Sequence, residues 1–169
     1  MSLAANPLIP NDGALLFNDG AGTPLAFTLP YEDGDVAFSE FSQGQKEYEL
    51  FFSRGRFYAA RKTVDKIVEV TFTCHAVGFT DASEATILDI VRRAGLWAAA
   101  TSTLPVAAGD LHCTKMTWTG ERSSLGGSAD SIVVMKYLHL TAAFAEGTPG
   151  KYTIKGVLLP YSTDYLAWT

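Results

Sequence analysis

Two apolar stretches flank a turn-rich acidic knot near the start of the chain. Ala14-Leu15-Leu16-Phe17 runs into Asn18-Asp19-Gly20-Ala21-Gly22-Thr23-Pro24, and Leu25, Phe27, Leu29 and Tyr31 then take every second position up to Glu32-Asp33-Gly34-Asp35. Alternation of period two marks a strand with one buried face, and Asp-Gly with glycines close by supplies the positive φ angles that a reversal needs. The pattern predicts a hairpin followed by a second acidic turn. Residues 36–41 and 46–52 predict short strands around Ser42-Gln43-Gly44. Residues 53–65, with Arg54, Arg56, Phe57, Tyr58 and Arg61, read as a long hairpin arm or as a loop. The clearest strand is 66–79, where Val68, Val70, Phe72, Cys74 and Ala76 share one face and Glu69, Thr71, Thr73 and His75 the other.

The period then changes to that of a helix. Thr80-Asp81-Ala82-Ser83-Glu84 has the spacing of a capping box, and Ile87, Leu88, Val91 and Ala94 recur at helical spacing ahead of Arg92, Arg93 and Gly95. One amphipathic helix over about residues 82–94 is expected. After an exit segment at 97–105, strands return. Residues 111–121 alternate, with Met116 and Trp118 on one face, and 130–144 carries apolar residues on both faces: Ile132, Val134, Leu138 and Leu140 against Val133, Met135 and Tyr137. Such a strand needs cover on both sides, either from a neighbouring copy or from a helix. A last strand at 151–159 has Gly156 as a candidate bulge, and Tyr161, Tyr165, Leu166 and Trp168 in the tail predict docking on the same subunit or the next.

At 169 residues and 47% apolar content the chain has the size of one domain, residues 1–169, with an N-terminal arm at 1–13 and a C-terminal tail at 160–169. The formal net charge of −5 argues against a surface that grips nucleic acid. Its distribution says more. Residues 1–50 hold eight acidic side chains against Lys46 alone, whereas residues 51–70 hold Arg54, Arg56, Arg61, Lys62 and Lys66 against Asp65 and Glu69. An acidic block beside a basic one is either ordinary solvation or the mark of head-to-tail assembly. No secretory signal and no apolar run of membrane-spanning length is visible, so a soluble protein made in the cytosol is expected.

Candidate chemistry is sparse. Cys74-His75 and His112-Cys113 have the residue types of a zinc site, but adjacent strand residues point to opposite faces. Nucleophile elbows, phosphate loops and dinucleotide fingerprints are missing from the sequence, and the acidic turn lacks calcium-loop spacing. No catalytic residue, cofactor or metal ligand is expected, and the chain reads as a protein that is not an enzyme. The candidate residues are instead those of an interface, where aromatic and Arg side chains concentrate: Phe51, Arg54, Arg56, Phe57, Tyr58, Arg61 and Lys62, with Asp19, Glu32, Asp33 and Asp35 as the acidic partner surface.

Taken in order, the hairpin, acidic turn, strands, long connection, single helix and further strands resemble a major tail tube protein of a long-tailed bacteriophage. The resemblance rests on Asp19-Gly20-Ala21-Gly22-Thr23-Pro24 running into residues 27–35, on Thr80-Asp81-Ala82-Ser83-Glu84 to Ile90, and on Gly127-Ser128-Ala129-Asp130 before a long strand. It implies a mainly β fold, an antiparallel β-sandwich or half-barrel with one flanking helix and a long connecting loop or hairpin arm at about 41–62. It also implies hexameric rings stacked head to tail in a virion tail made in the host cytoplasm, contacts with other tail proteins at the tube ends, and passage of DNA without specific binding. Alternatives are the inner tube of a contractile tail or secretion system, and a β-sandwich carbohydrate-binding or adhesion module using Trp97, Trp118 or Trp168. A small hydrolase using Cys113 or His112 is a further class.

Overall fold

The computed structural model describes residues 13–29, 36–39, 46–65, 67–76, 85–120 and 130–168, with backbone alone for residues 13, 46–48 and 62–65. Ten strands, one α-helix and two 3-10 turns make up the described chain. The expected class holds: antiparallel β with one helix, as an open sheet that does not close into a barrel.

The opening hairpin is present. Leu15 and Phe17 of β1 (Gly13–Asn18) are fully buried, and β1 pairs with β2 (Ala26–Thr28) from Asn18↔Ala26 to Leu16↔Thr28. Its loop is organised differently from the expectation. Gly20 does not adopt a positive φ; glycine is required there because a Cβ would lie 2.4 Å from the Ser102 carbonyl oxygen, so the turn is pressed against the backbone of Ser102 and Thr103. Short β3 (Ala37–Phe38) pairs with β6 (Val68–His75), whose Val68, Val70, Phe72 and Cys74 are buried as their alternation predicts. Strand β7 (Thr114–Gly120) lies between β1 and β8 (Ser131–Ala145), and β9 (Lys151–Leu158) lies between β8 and β6. The order is β2-β1-β7-β8-β9-β6-β3, with β10 (Leu166–Trp168) beside β8.

Strand β8 explains its own two apolar faces. Between the pairs Met116↔Met135 and Thr114↔Leu138 it holds one residue more than β7, a β-bulge at Lys136-Tyr137. The inward parity therefore switches: Val133 and Met135 are buried before the bulge, Leu138 and Leu140 after it. Most of the double-sided apolar pattern is one core face read across a bulge. Within β8 the need for a second covering layer shrinks to the half-buried Ile132, Val134 and Tyr137, the last of which packs edge-on against Tyr161. Gly156 is not a bulge. It sits in unbroken register between Val70 and Leu140, and the space its missing side chain leaves is filled by Leu138 and Leu140.

The sheet curls over itself to enclose the core. Phe17 of β1 meets Phe72 of β6 at 6.0 Å between ring centroids, and Phe38 of β3 meets Trp118 of β7 edge-on at 6.0 Å, although each pair is four places apart in the strand order. Helix α1 (Ile87–Arg92) adds Ile87, Leu88 and Ile90 to the same core. It is shorter than expected. Thr86 is the N-cap, extended at φ −117° and ψ 161°, with a capping box to Asp89; the expected box of Asp81 and Glu84 lies outside the described residues. The stop is Arg93 at φ 53°, two residues before Gly95. In the tail, Tyr165 and Leu166 are buried against β8 of the same chain, which settles where those two dock.

Candidate assembly surface

The basic aromatic segment folds as a hairpin arm, resolving the choice between arm and loop. Strands β4 (Lys46–Ser53) and β5 (Arg56–Asp65) pair from Lys46↔Asp65 to Ser53↔Arg56, and among the described residues they join no strand of the larger sheet. At about 3.3 Å per residue the ribbon is roughly 25 Å long. Its turn is Arg54-Gly55 with φ of 50° and 78°, the two positive angles of a type I′ reversal, whose twist matches that of the flanking strands.

The register sorts the arm into two faces. Leu50 lies opposite Ala60 and Phe52 opposite Phe57, with the two phenyl rings in edge contact at 6.4 Å. The other face carries Glu49 opposite Arg61, Phe51 opposite Ala59 and Ser53 opposite Arg56, with Tyr58 as the extra residue of a bulge. The first face is apolar and uncovered: Phe52 is 62% exposed and Phe57 63%. Tyr58 is exposed at 77%. An isolated two-stranded ribbon is marginal in water, and exposed aromatics clustered on one mark a contact surface. Burial contributes about 1.5–3 kcal/mol for a large apolar side chain, so Leu50, Phe52 and Phe57 are side chains that a covering partner would stabilise, less the costs of docking.

The expected interface residues thus fall on one element. Phe51, Arg54, Arg56, Phe57, Tyr58 and Arg61 are all exposed on the arm, and Lys62 has its place in β5 opposite Tyr48. Leu50 and Phe52 were not among them, although their alternation within 46–52 was the available signal. The acidic side divides. Glu32, Asp33 and Asp35 lie outside the described residues. Asp19 has an inward task instead of a partner-facing one: it is 5% exposed, and its carboxylate accepts from the backbone N–H of Leu25 at 2.8 Å, Thr101 at 3.0 Å and Ala21 at 3.4 Å. Together with the Gly20 N–H donating to the Thr101 carbonyl, it staples the β1–β2 turn to the chain ahead of β7.

The remaining candidates separate. Cys74 and Cys113 are buried and outside any disulfide, and among the described residues no three metal-ligating side chains come together. Burial pushes the Cys113 thiol up to about 11, so at neutral pH it is the unreactive protonated form. Burial, with Arg93 and His139 nearby, holds His112 below the ordinary histidine value against the opposing pull of Asp19, and neither ring nitrogen has a hydrogen-bond partner among the described residues. Trp97 is buried, Trp118 packs on Phe38 and Trp168 is half exposed, so the three do different work. No described helix is long and apolar enough to cross a membrane.

With a curled antiparallel sheet, one capped helix and a free arm in place, the fold can be compared with known ones. It is shared with chains of a contractile injection system. One belongs to the sheath/tube terminator, in the extended state, of an extracellular contractile injection system named PVC: TM-score 0.59, 9% identity, 99% of each chain covered. Another, from the extended sheath-tube complex of that system, gives a TM-score of 0.58 at 9% identity over 98% of this chain and 93% of that one. No protein-family model and no curated protein matches the sequence. At such identity the likeness is one of fold, spanning nearly the whole of both chains.

Proposed function

We propose that this chain is a structural subunit of a tail-tube-like assembly, in which copies associate through the β4–β5 arm. The observation that carries the reading is the arm itself: a ribbon with an exposed apolar aromatic face that no described strand of its own chain covers, on a fold shared with components of an injection machine. The neighbours favour the contractile form, an inner tube or its terminator inside a sheath, over the unsheathed tail that the sequence first resembled. Other tail proteins at the ends of the tube are the natural further partners.

In its full form the proposal is a hexameric ring that stacks on others into a channel of a phage tail or a related particle. DNA would slide through without specific contact. A net charge of −5 suits such a wall, because Arg- and Lys-rich linings hold phosphate and slow it. Sedimentation velocity across a concentration series tests the association. Sixfold or larger species that grow with concentration are expected; a single monomeric boundary at every concentration would contradict the reading.

A further inference from the structure

Among the described residues, two that are not glycine hold a positive φ, Arg54 at 50° and Arg93 at 53°. That region crowds the Cβ against the following carbonyl, and glycine, asparagine and aspartate fill it most readily. Arg93 has its reason inside the chain. It ends α1, and its guanidinium donates to the Ala100 carbonyl at 3.2 Å, next to the Thr101 that Asp19 holds. Arg54 has no such internal reason. It is the first turn residue of a two-residue hairpin, where Asn-Gly or Asp-Gly is the usual choice, and its exposed side chain makes no hydrogen bond or ion pair with any described residue. Backbone strain without local return points to a role outside the subunit.

We infer that Arg54 is the arm's contact residue for a carboxylate on a second copy of this chain. The inference rests on the assembly reading above and names the chemistry at the tip of the arm. A planar guanidinium grips a carboxylate through two parallel N–H donors, a geometry that asparagine and lysine do not offer. Arg56, next to the turn, adds a second exposed cation. A second copy is favoured over nucleic acid because the chain carries 18 acidic against 13 basic side chains, so its surface attracts the arm's cations and repels phosphate. A second copy also covers the apolar face formed by Leu50, Phe52 and Phe57 behind the tip.

The test compares wild type with Arg54→Asn and Arg54→Lys. Light scattering gives the concentration at which assembly begins, hydrogen exchange reports the arm, and a single-stranded oligonucleotide serves as the phosphate probe. For Arg54→Asn the arm amides should exchange no faster than in wild type, since asparagine suits the turn, while the threshold rises about tenfold or more. Arg54→Lys should fall between. An Asn variant that assembles at the wild-type threshold overturns the inference, and so does lost oligonucleotide binding with assembly unchanged. A wild type that stays monomeric removes the assembly reading itself, so the two failures are distinguishable.

Discussion

Strand β6 and the β4–β5 arm are written in similar sequence language and end in opposite environments. Val68, Val70, Phe72 and Cys74 alternate with polar residues, and Phe72 is 1% exposed; Leu50 and Phe52 alternate as well, and Phe52 stands 62% exposed. Period two fixes that a chain is a strand with two unlike faces, but not who covers the apolar one. For β6 the cover is Phe17 from the other end of the curled sheet. For the arm no described part of the same chain provides it. The difference separates residues that hold the subunit together from residues that, on the proposed reading, are kept for contact between subunits.

Variants, ranked by their effect on the isolated subunit, test that contrast. Phe72→Ala empties the centre of the core and should cost about 3–5 kcal/mol in denaturant unfolding; a loss below about 1 kcal/mol would mean that β6 is not the core strand described. Asp19→Ala should cost about 2–3 kcal/mol, because three backbone donors lose a charged acceptor. Faster hydrogen exchange at Leu25 and Thr101 would identify the staple as the cause. A milder effect belongs to His112. Its folded value is lowered, so the unfolded chain binds the proton more readily, and stability present above about pH 6.5 should fall as the pH drops through the folded value. His112→Leu should flatten that slope in thermal unfolding; an unchanged slope would place the acid sensitivity elsewhere. The smallest effect on the subunit is expected from the arm. Phe52→Ser with Phe57→Ser should leave stability within about 0.5 kcal/mol of wild type and yet abolish association, read by scattering.

Much of the fold was legible in the residues. The strand expected at 66–79 and found at Val68–His75, the opening hairpin and the existence of one helix followed from period alone, since each has a long or sharply changing pattern. What escaped were features decided by tertiary contact. The bulge at Lys136-Tyr137 leaves no local signal, because both parities of β8 are apolar on either side of it. Asp19 looked like a surface acid until the fold brought Thr101 beside it. Arg54-Gly55 lacks the Asn-Gly wording of a type I′ turn, so the arm could not be told from a loop. The arm residues were legible as a composition, aromatic and Arg together, while their placement on two faces needed the register.

Electron microscopy of the concentrated wild-type protein tests assembly through the arm directly. Rings are expected, singly or stacked into tubes, with density for an arm reaching from each subunit onto another. A uniform field of isolated single subunits at high concentration would contradict it.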